Sequence, residues 1–198
     1  MAAIGTALAY QLPASSSSAV SALSTDTRPV GAPPDELPDT GGDRRGPLGE
    51  ADGAVPDGTT LFDDWVRGVA NLDPTLRGAL RRAATDAELD GVTFFVDSGW
   101  RSPAYQQELL RQAILKYGSK EEAARWVAGP KTSAHVSGEA VDIGRSDAAA
   151  WLSDHGAAYG LCQIYRNEPW HYELRPQAVA QGCPPTYADP TQDPRTQP

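Results

Sequence analysis

Several residue types are scarce in this sequence, and each shortage excludes something. Only 2 of its 198 residues are cysteine. That is too few for a disulfide scaffold or an all-cysteine zinc cluster, though enough for one bridge. No run approaches the ~20 apolar residues that a membrane-spanning helix needs. Basic residues are outnumbered 17 to 26, for a net charge of −9. That balance disfavours unspecific binding to nucleic acid or to an anionic membrane surface. Histidine occurs only 3 times, so any imidazole chemistry is confined to a few positions. No internal repeat is visible.

Proline is plentiful but unevenly spread, and it marks where the folded part lies. Residues 1–60 hold seven of the 17 prolines and residues 176–198 hold six. Between them stand only Pro74, Pro103, Pro130 and Pro169. All five tryptophans, from Trp65 to Trp170, fall in that proline-poor stretch. One domain is therefore expected over 61–183, with a disordered linker over 23–60 and a disordered tail over 184–198. Residues 1–22 combine a mildly apolar run with a small-x-small site at Ala19-Val20-Ser21-Ala22. They read either as the remnant of an export signal that starts upstream of Met1, or as an Ala/Ser-rich tail. Cys162 and Cys183 are read as a bridge, which would place the protein in an oxidising compartment. The alternative is two independent buried thiols. A secreted monomer is expected.

Local patterns predict helices over 61–71, 74–89, 103–117, 119–127 and 147–155. Asp73-Pro74 and Ser102-Pro103 both read as an N-cap followed by proline at the first helical position. Strands are expected over 92–96, 140–143, 159–165 and 170–174, and a loop over 129–137. Helices come first and short strands later, without regular βαβ alternation. The fold class is α+β, with a small, mainly antiparallel sheet.

Two of the three histidines lie in unusual company. His135 belongs to Ser133-Ala134-His135-Val136-Ser137-Gly138-Glu139-Ala140-Val141-Asp142, and His171 ends Glu168-Pro169-Trp170-His171. A catalytic zinc ion needs three nitrogen or carboxylate ligands, an open position, and a nearby carboxylate that is not a ligand. His135, Asp142 and His171 supply the ligands and Glu168 the base. Asp142 stands between Val141 and Ile143, an expensive place for a carboxylate unless it is paired or metal-bound. A turn at Pro169 must bring Glu168 to the side of His171, because a flat strand would send them to opposite faces. The plainer alternative is a set of surface or hydrogen-bonded histidines. His155 follows a helix end and reads as such a residue. In Asp97-Ser98-Gly99-Trp100-Arg101-Ser102, Arg101 sits between a strand and a capped helix. There a guanidinium can hold a substrate carboxylate or a developing oxyanion, or simply make a surface ion pair.

Together the three segments resemble the zinc D-alanyl-D-alanine carboxypeptidases of the VanY type, which are related to VanX-type dipeptidases and to murein peptidases. The family's Ser-x-His-x-x-Gly-x-Ala-x-Asp is met at Ser133, His135, Gly138, Ala140 and Asp142. Its Glu-x-Trp-His is met at Glu168, Trp170 and His171, and its Ser-Gly-Tyr/Trp-Arg-Ser at residues 98–102. The resemblance covers roughly 61–176. It implies that His135, Asp142 and His171 hold one Zn²⁺, that Glu168 is the general base, and that Arg101 stabilises the intermediate. It also implies that Ser133, Gln106 and Trp170 contact or wall the substrate, a peptidoglycan stem peptide ending in D-Ala-D-Ala. A serine-free mechanism of this kind implies weak inhibition by β-lactams. The segment 161–167 is shorter than in many relatives and Glu139 lies inside the motif, so an endopeptidase, a dipeptidase or an inactive wall-peptide-binding module are the alternatives.

Overall fold

The computed structural model describes residues 48–197. The segments 1–22 and 23–47 lie outside the described residues. Seven helices surround one four-stranded sheet. In chain order the elements are α1 (Arg67–Ala70), α2 (Pro74–Leu89), β1 (Phe95–Ser98), α3 (Pro103–Tyr117), α4 (Lys120–Ala124), α5 (Ala134–Ser137), β2 (Ala140–Gly144), α6 (Ser146–His155), β3 (Leu161–Gln163), β4 (His171–Leu174) and α7 (Ala178–Gln181). The sheet order is β1-β2-β4-β3 and every pairing is antiparallel. The α+β class read from the sequence is what the chain adopts.

The helices start where their caps dictate. The Asp73 carboxylate accepts from Thr75 N and Leu76 N at 2.8 and 3.0 Å, with Pro74 at the first helical position. Ser102 caps α3 through Tyr105 N, and Ser119 caps α4 through Glu122 N. Each cap satisfies amides that have no partner within the helix. The interior of α2 is a stripe of Leu76, Ala79, Leu80, Ala83, Ala84 and Ala87, all buried.

The sheet has two working faces. Val141, Ile143 and Tyr172 join the α2 stripe in the main core. Alternation then sends Asp142, His171 and Glu173 to the opposite face. There they are covered by other parts of the chain, so every residue of β2 is buried. In this register Asp142 stands directly opposite His171, and Val141 opposite Tyr172. Strand pairing alone therefore brings two of the expected metal ligands together.

Three local expectations need correction. Residues 61–71 hold only the short α1, because the Asp63 carboxylate binds Thr60 N and Oγ1 and closes a separate turn before it. Phe62 and Trp65 consequently face solvent. The first strand is Phe95–Ser98 rather than 92–96, since pairing with β2 begins at Phe95 opposite Gly144. The loop 129–137 contains α5, which ends at Gly138 with φ of 76°. A Cβ there would lie 2.6 Å from Asn71 O, so only glycine makes this turn.

The domain boundaries also move outward on both sides. In the expected linker, Asp52 Oδ1 accepts from Ser102 Oγ and Thr60 bridges Phe95. In the expected tail, Asp193 is fully buried, and short 3₁₀ turns form at Pro190–Gln192 and Pro194–Thr196. Proline content misled here. Pro190 and Pro194 each occupy the first position of a turn capped by the preceding aspartate.

Cys162 on β3 and Cys183 form a disulfide. It closes a loop with a sequence separation of 21 and ties the C-terminal arm to the sheet. Replacing both cysteines by alanine should lower the unfolding free energy by ~3 kcal/mol in a urea titration. An unchanged midpoint would show that the arm is held without the bridge.

Candidate metal centre

Three side chains converge above the β2–β4 pair. Asp142 and His171 arrive as cross-strand partners. His135 arrives on α5, whose C-terminal turn at Gly138 is pinned by Asp73 N donating to Gly138 O at 2.8 Å. The facing atoms are His135 Nε2, His171 Nδ1 and Asp142 Oδ1. Their separations are 3.3, 3.2 and 3.5 Å. All three residues are buried.

Hydrogen bonds on the far side decide which atoms face inward. His135 Nδ1 lies 2.8 Å from Gly99 O, a pure acceptor, so this nitrogen carries the proton and Nε2 presents a lone pair. His171 Nε2 lies 3.2 Å from Glu173 Oε1, which leaves Nδ1 facing the centre. Asp142 Oδ2 accepts from Arg101 Nη2 at 2.9 Å, which leaves Oδ1. With His171 neutral, two imidazole lone pairs and a carboxylate oxygen meet here, and without a metal ion a proton on His171 Nδ1, donated to Asp142 Oδ1 at 3.2 Å, holds them together. A metal ion would take the place of that proton. Four ligands about 2.0–2.1 Å from a tetrahedral metal ion lie about 3.3 Å from one another. The observed triangle has that size, so the residues fit a metal ion.

Gly99 is required for this arrangement. A Cβ on it would lie 2.0 Å from Gly68 O, so the chain can pass here only without a side chain. That close passage places the Gly99 carbonyl against His135.

The charges follow the geometry. Burial works against ionising Asp142, but His135, His171 and Arg101 outweigh it and hold the carboxyl well below its usual range. Burial and the Arg101 charge lower His135. Burial also opposes charging His171, yet its bonds to Asp142 and Glu173 carry it up to about 9. A bound metal ion would displace that proton. Burial pushes the Glu168 carboxyl up to about 7.

Glu168 stands beside the triangle. The turn at Pro169 folds so that His171 N donates to Glu168 O, and Glu168 Oε2 lies 3.8 Å from His171 Nδ1. Its other oxygen, Oε1, is buried without a hydrogen-bond partner. An unsatisfied buried carboxylate oxygen costs free energy and calls for a partner.

Arg101 is held at three points. Nε donates to Ser98 Oγ at 2.7 Å, Nη1 to Gln106 Oε1 at 3.2 Å, and Nη2 to Asp142. Two of its five N–H groups remain for a further acceptor. Gln106 is 1% exposed and also donates to Ala128 O at 2.8 Å, so its amide orients Arg101. Ser133, Trp170 and Gln106 line the same cavity, of about 290 Å³, as the triangle and Glu168. Ser133 makes no cap bond to α5, and Trp170 is half exposed at the rim. His155 lies elsewhere, tilted against Trp151 with ring centroids 4.6 Å apart.

One functional residue was missed in the sequence. Glu173 is 1% exposed and orients His171 from behind. Its position two residues after His171 on a strand, hence on the same face, is the signal that could have found it.

A family model described as D-alanyl-D-alanine carboxypeptidase, VanY, matches residues 70–177. That is more than half of the chain, and it holds every residue of the site just described. The chain belongs to this family. A D-alanyl-D-alanine carboxypeptidase of Enterococcus faecalis is 33% identical over 111 residues, covering 43% of this chain and 41% of the relative. The chain thus spans less than half the length of that relative. The solved structure of VanYB with D-alanine-D-alanine is 28% identical, with a TM-score of 0.52, over 56% of this chain and 78% of VanYB. The LdcB LD-carboxypeptidase shares the fold, at 23% identity and a TM-score of 0.52, over 65% of this chain and 71% of LdcB. Within the VanY family frame, the His135–Asp142–His171 triangle, Glu168 and Arg101 occupy one cavity.

His135→Ala should abolish binding of one equivalent of Zn²⁺, read by metal analysis after dialysis. His155→Ala should leave that equivalent in place. Equal loss in both variants would move the metal away from this triangle.

Proposed function

We propose that this protein is a zinc metallopeptidase that removes the terminal D-alanine from peptidoglycan stem peptides. The observation that carries the reading is the buried Glu168 carboxylate beside the ligand triangle, with Oε2 3.8 Å from His171 Nδ1 and Oε1 without a partner. A module that only binds needs neither a metal-sized ligand triangle nor a free carboxylate oxygen next to it.

His135 Nε2, His171 Nδ1 and Asp142 Oδ1 would hold one zinc ion. Zinc suits two imidazoles and a carboxylate, and supplies Lewis acidity and an acidified water at neutral pH. Glu168 takes the proton from the attacking water on its carboxylate and returns it to the leaving amine. A carboxyl raised to about 7 by burial serves both directions of transfer near neutral pH. Arg101 offers its two remaining N–H groups to the carbonyl oxygen as negative charge develops there. Being held by Ser98, Gln106 and Asp142, it needs no reorganisation during the reaction. Ser133 and Trp170, on the cavity wall, contact the substrate chain. The partner is a wall peptide and the location is extracellular or wall-associated. The disulfide supports an oxidising compartment. No helix among the described residues is long and apolar enough to cross a membrane.

Glu168→Gln should keep the zinc and lose about 10²–10⁴-fold in kcat. The assay is mass spectrometry of a synthetic pentapeptide ending in D-Ala-D-Ala, where release of one D-alanine is expected. Release of the D-Ala-D-Ala dipeptide would move the scissile bond. Wild-type turnover by Glu168→Gln would overturn the assignment of the base.

A further inference from the structure

Residues 183–197 lie beyond the segment that the family model matches, yet they reach the metal centre from behind. The arm leaves the disulfide at Cys183 and runs beside the segment after β3. Tyr187 N donates to Ile164 O at 2.9 Å, and Arg166 N donates to Tyr187 O at 3.0 Å. Asp189 accepts from Arg125 Nε at 3.1 Å. The fully buried Asp193 accepts from Tyr165 Oη at 3.0 Å and from Arg195 Nε at 3.1 Å. Pro190 and Thr196 contribute to the cavity wall.

Arg195 is where the arm meets the metal ligands. Its Nη1 donates to Glu173 Oε2 at 2.6 Å, and its Nη2 lies 3.4 Å from Oε1. Glu173 Oε1 is the atom that accepts from His171 Nε2. Arg175, just past the end of β4, binds only Oε2, at 2.7 Å. Among the described side chains, Arg195 is therefore the one that reaches both oxygens of Glu173, the oxygen facing the imidazole included. A carboxylate held at both oxygens cannot rotate about its own axis. A ring bonded to it cannot rotate either.

We propose that Arg195 is a positioning residue of the metal centre. From the C-terminal arm it fixes the Glu173 carboxylate, and through it the ring and basicity of the metal ligand His171. The inference rests on the reading that His135, Asp142 and His171 hold zinc. Partners behind a ligating histidine typically change metal affinity by about 10–100-fold when removed. The arm, whose sequence lies outside the matched segment, would thus be part of the machinery rather than a strap over it.

The test is a zinc titration of the full chain against a chromophoric chelator, together with the visible spectrum of the Co²⁺-substituted protein. The variants are Arg195→Ala, Arg195→Lys, Glu173→Gln and the Arg195→Ala/Glu173→Gln pair. Arg195→Ala should weaken zinc binding about 10-fold or more and shift the cobalt bands. Arg195→Lys, which keeps a cation but loses the fork, should fall between it and the wild type. The double variant should bind zinc no more weakly than Glu173→Gln alone, because one residue acts through the other.

Circular dichroism of the metal-free variants checks the fold. Wild-type zinc affinity and cobalt spectrum in a folded Arg195→Ala would overturn the proposal. So would additive losses in the double variant, or an unfolded Arg195→Ala beside an Arg195→Lys of full affinity. A wild-type chain that binds zinc but cleaves no stem peptide would sink the peptidase reading and leave this one standing on its titration. A chain that takes up no zinc would overturn both.

Discussion

The site depends on one buried contact. His135 Nε2, His171 Nδ1 and Asp142 Oδ1 approach within 3.5 Å of one another, an arrangement that fits a metal ion or a proton held between His171 and Asp142. Such a cluster is stable only with a cation or a shared proton at its centre. Everything around it holds the three groups in place. The Gly99 carbonyl sets the tautomer of His135, Glu173 sets that of His171, and Arg101 occupies the outer oxygen of Asp142. Each outer bond removes one way for the cluster to relax by rotation. The metal-sized gap is what remains.

A sheet of four short strands can support this because its two faces are used for different ends. Val141, Ile143 and Tyr172 sit in the hydrophobic core against α2, where apolar burial supplies the favourable free energy. Asp142, His171 and Glu173 occupy the other face. The pairing that stabilises β2 and β4 is therefore the same pairing that sets the Asp142–His171 distance. A one-residue slip would exchange the two faces and destroy core and site together, so the register is strongly specified.

The second layer of the site draws on distant parts of the chain. Gly68 in α1 forces the close passage at Gly99, and Gly99 in turn meets His135. The C-terminal arm sends Arg195 to Glu173. The segment that the VanY family model matches, residues 70–177, contains His135, Asp142, His171, Glu168 and Arg101. It does not contain the arm, which this chain attaches with a disulfide and with the buried Asp193. In the same region, Pro190 and Thr196 share the cavity wall with Trp170.

Local signals were legible wherever the physics is local. Asp73-Pro74 and Ser102-Pro103 began helices because a side-chain oxygen and a fixed φ act within one turn of chain. Residues 133–142 and 168–171 were legible as chemistry because few roles require a carboxylate between Val141 and Ile143, or a histidine three residues after Glu168. What could not be read involves partners far apart in sequence. Residues 61–71 carry a helical spacing, but a Thr60–Asp63 turn prevails over most of it. The prolines of 184–197 signal disorder by composition, whereas Pro190 and Pro194 start capped turns whose buried aspartates pair with Tyr165, Arg125 and Arg195. The sequence by itself determined the candidate ligands, the candidate base, the helix caps and the α+β class. Only the tertiary structure decided which nitrogen of each imidazole faces the centre, that Gln106 holds Arg101, and that Arg195 reaches Glu173. Those outcomes depend on contacts between segments that meet only after the sheet has formed.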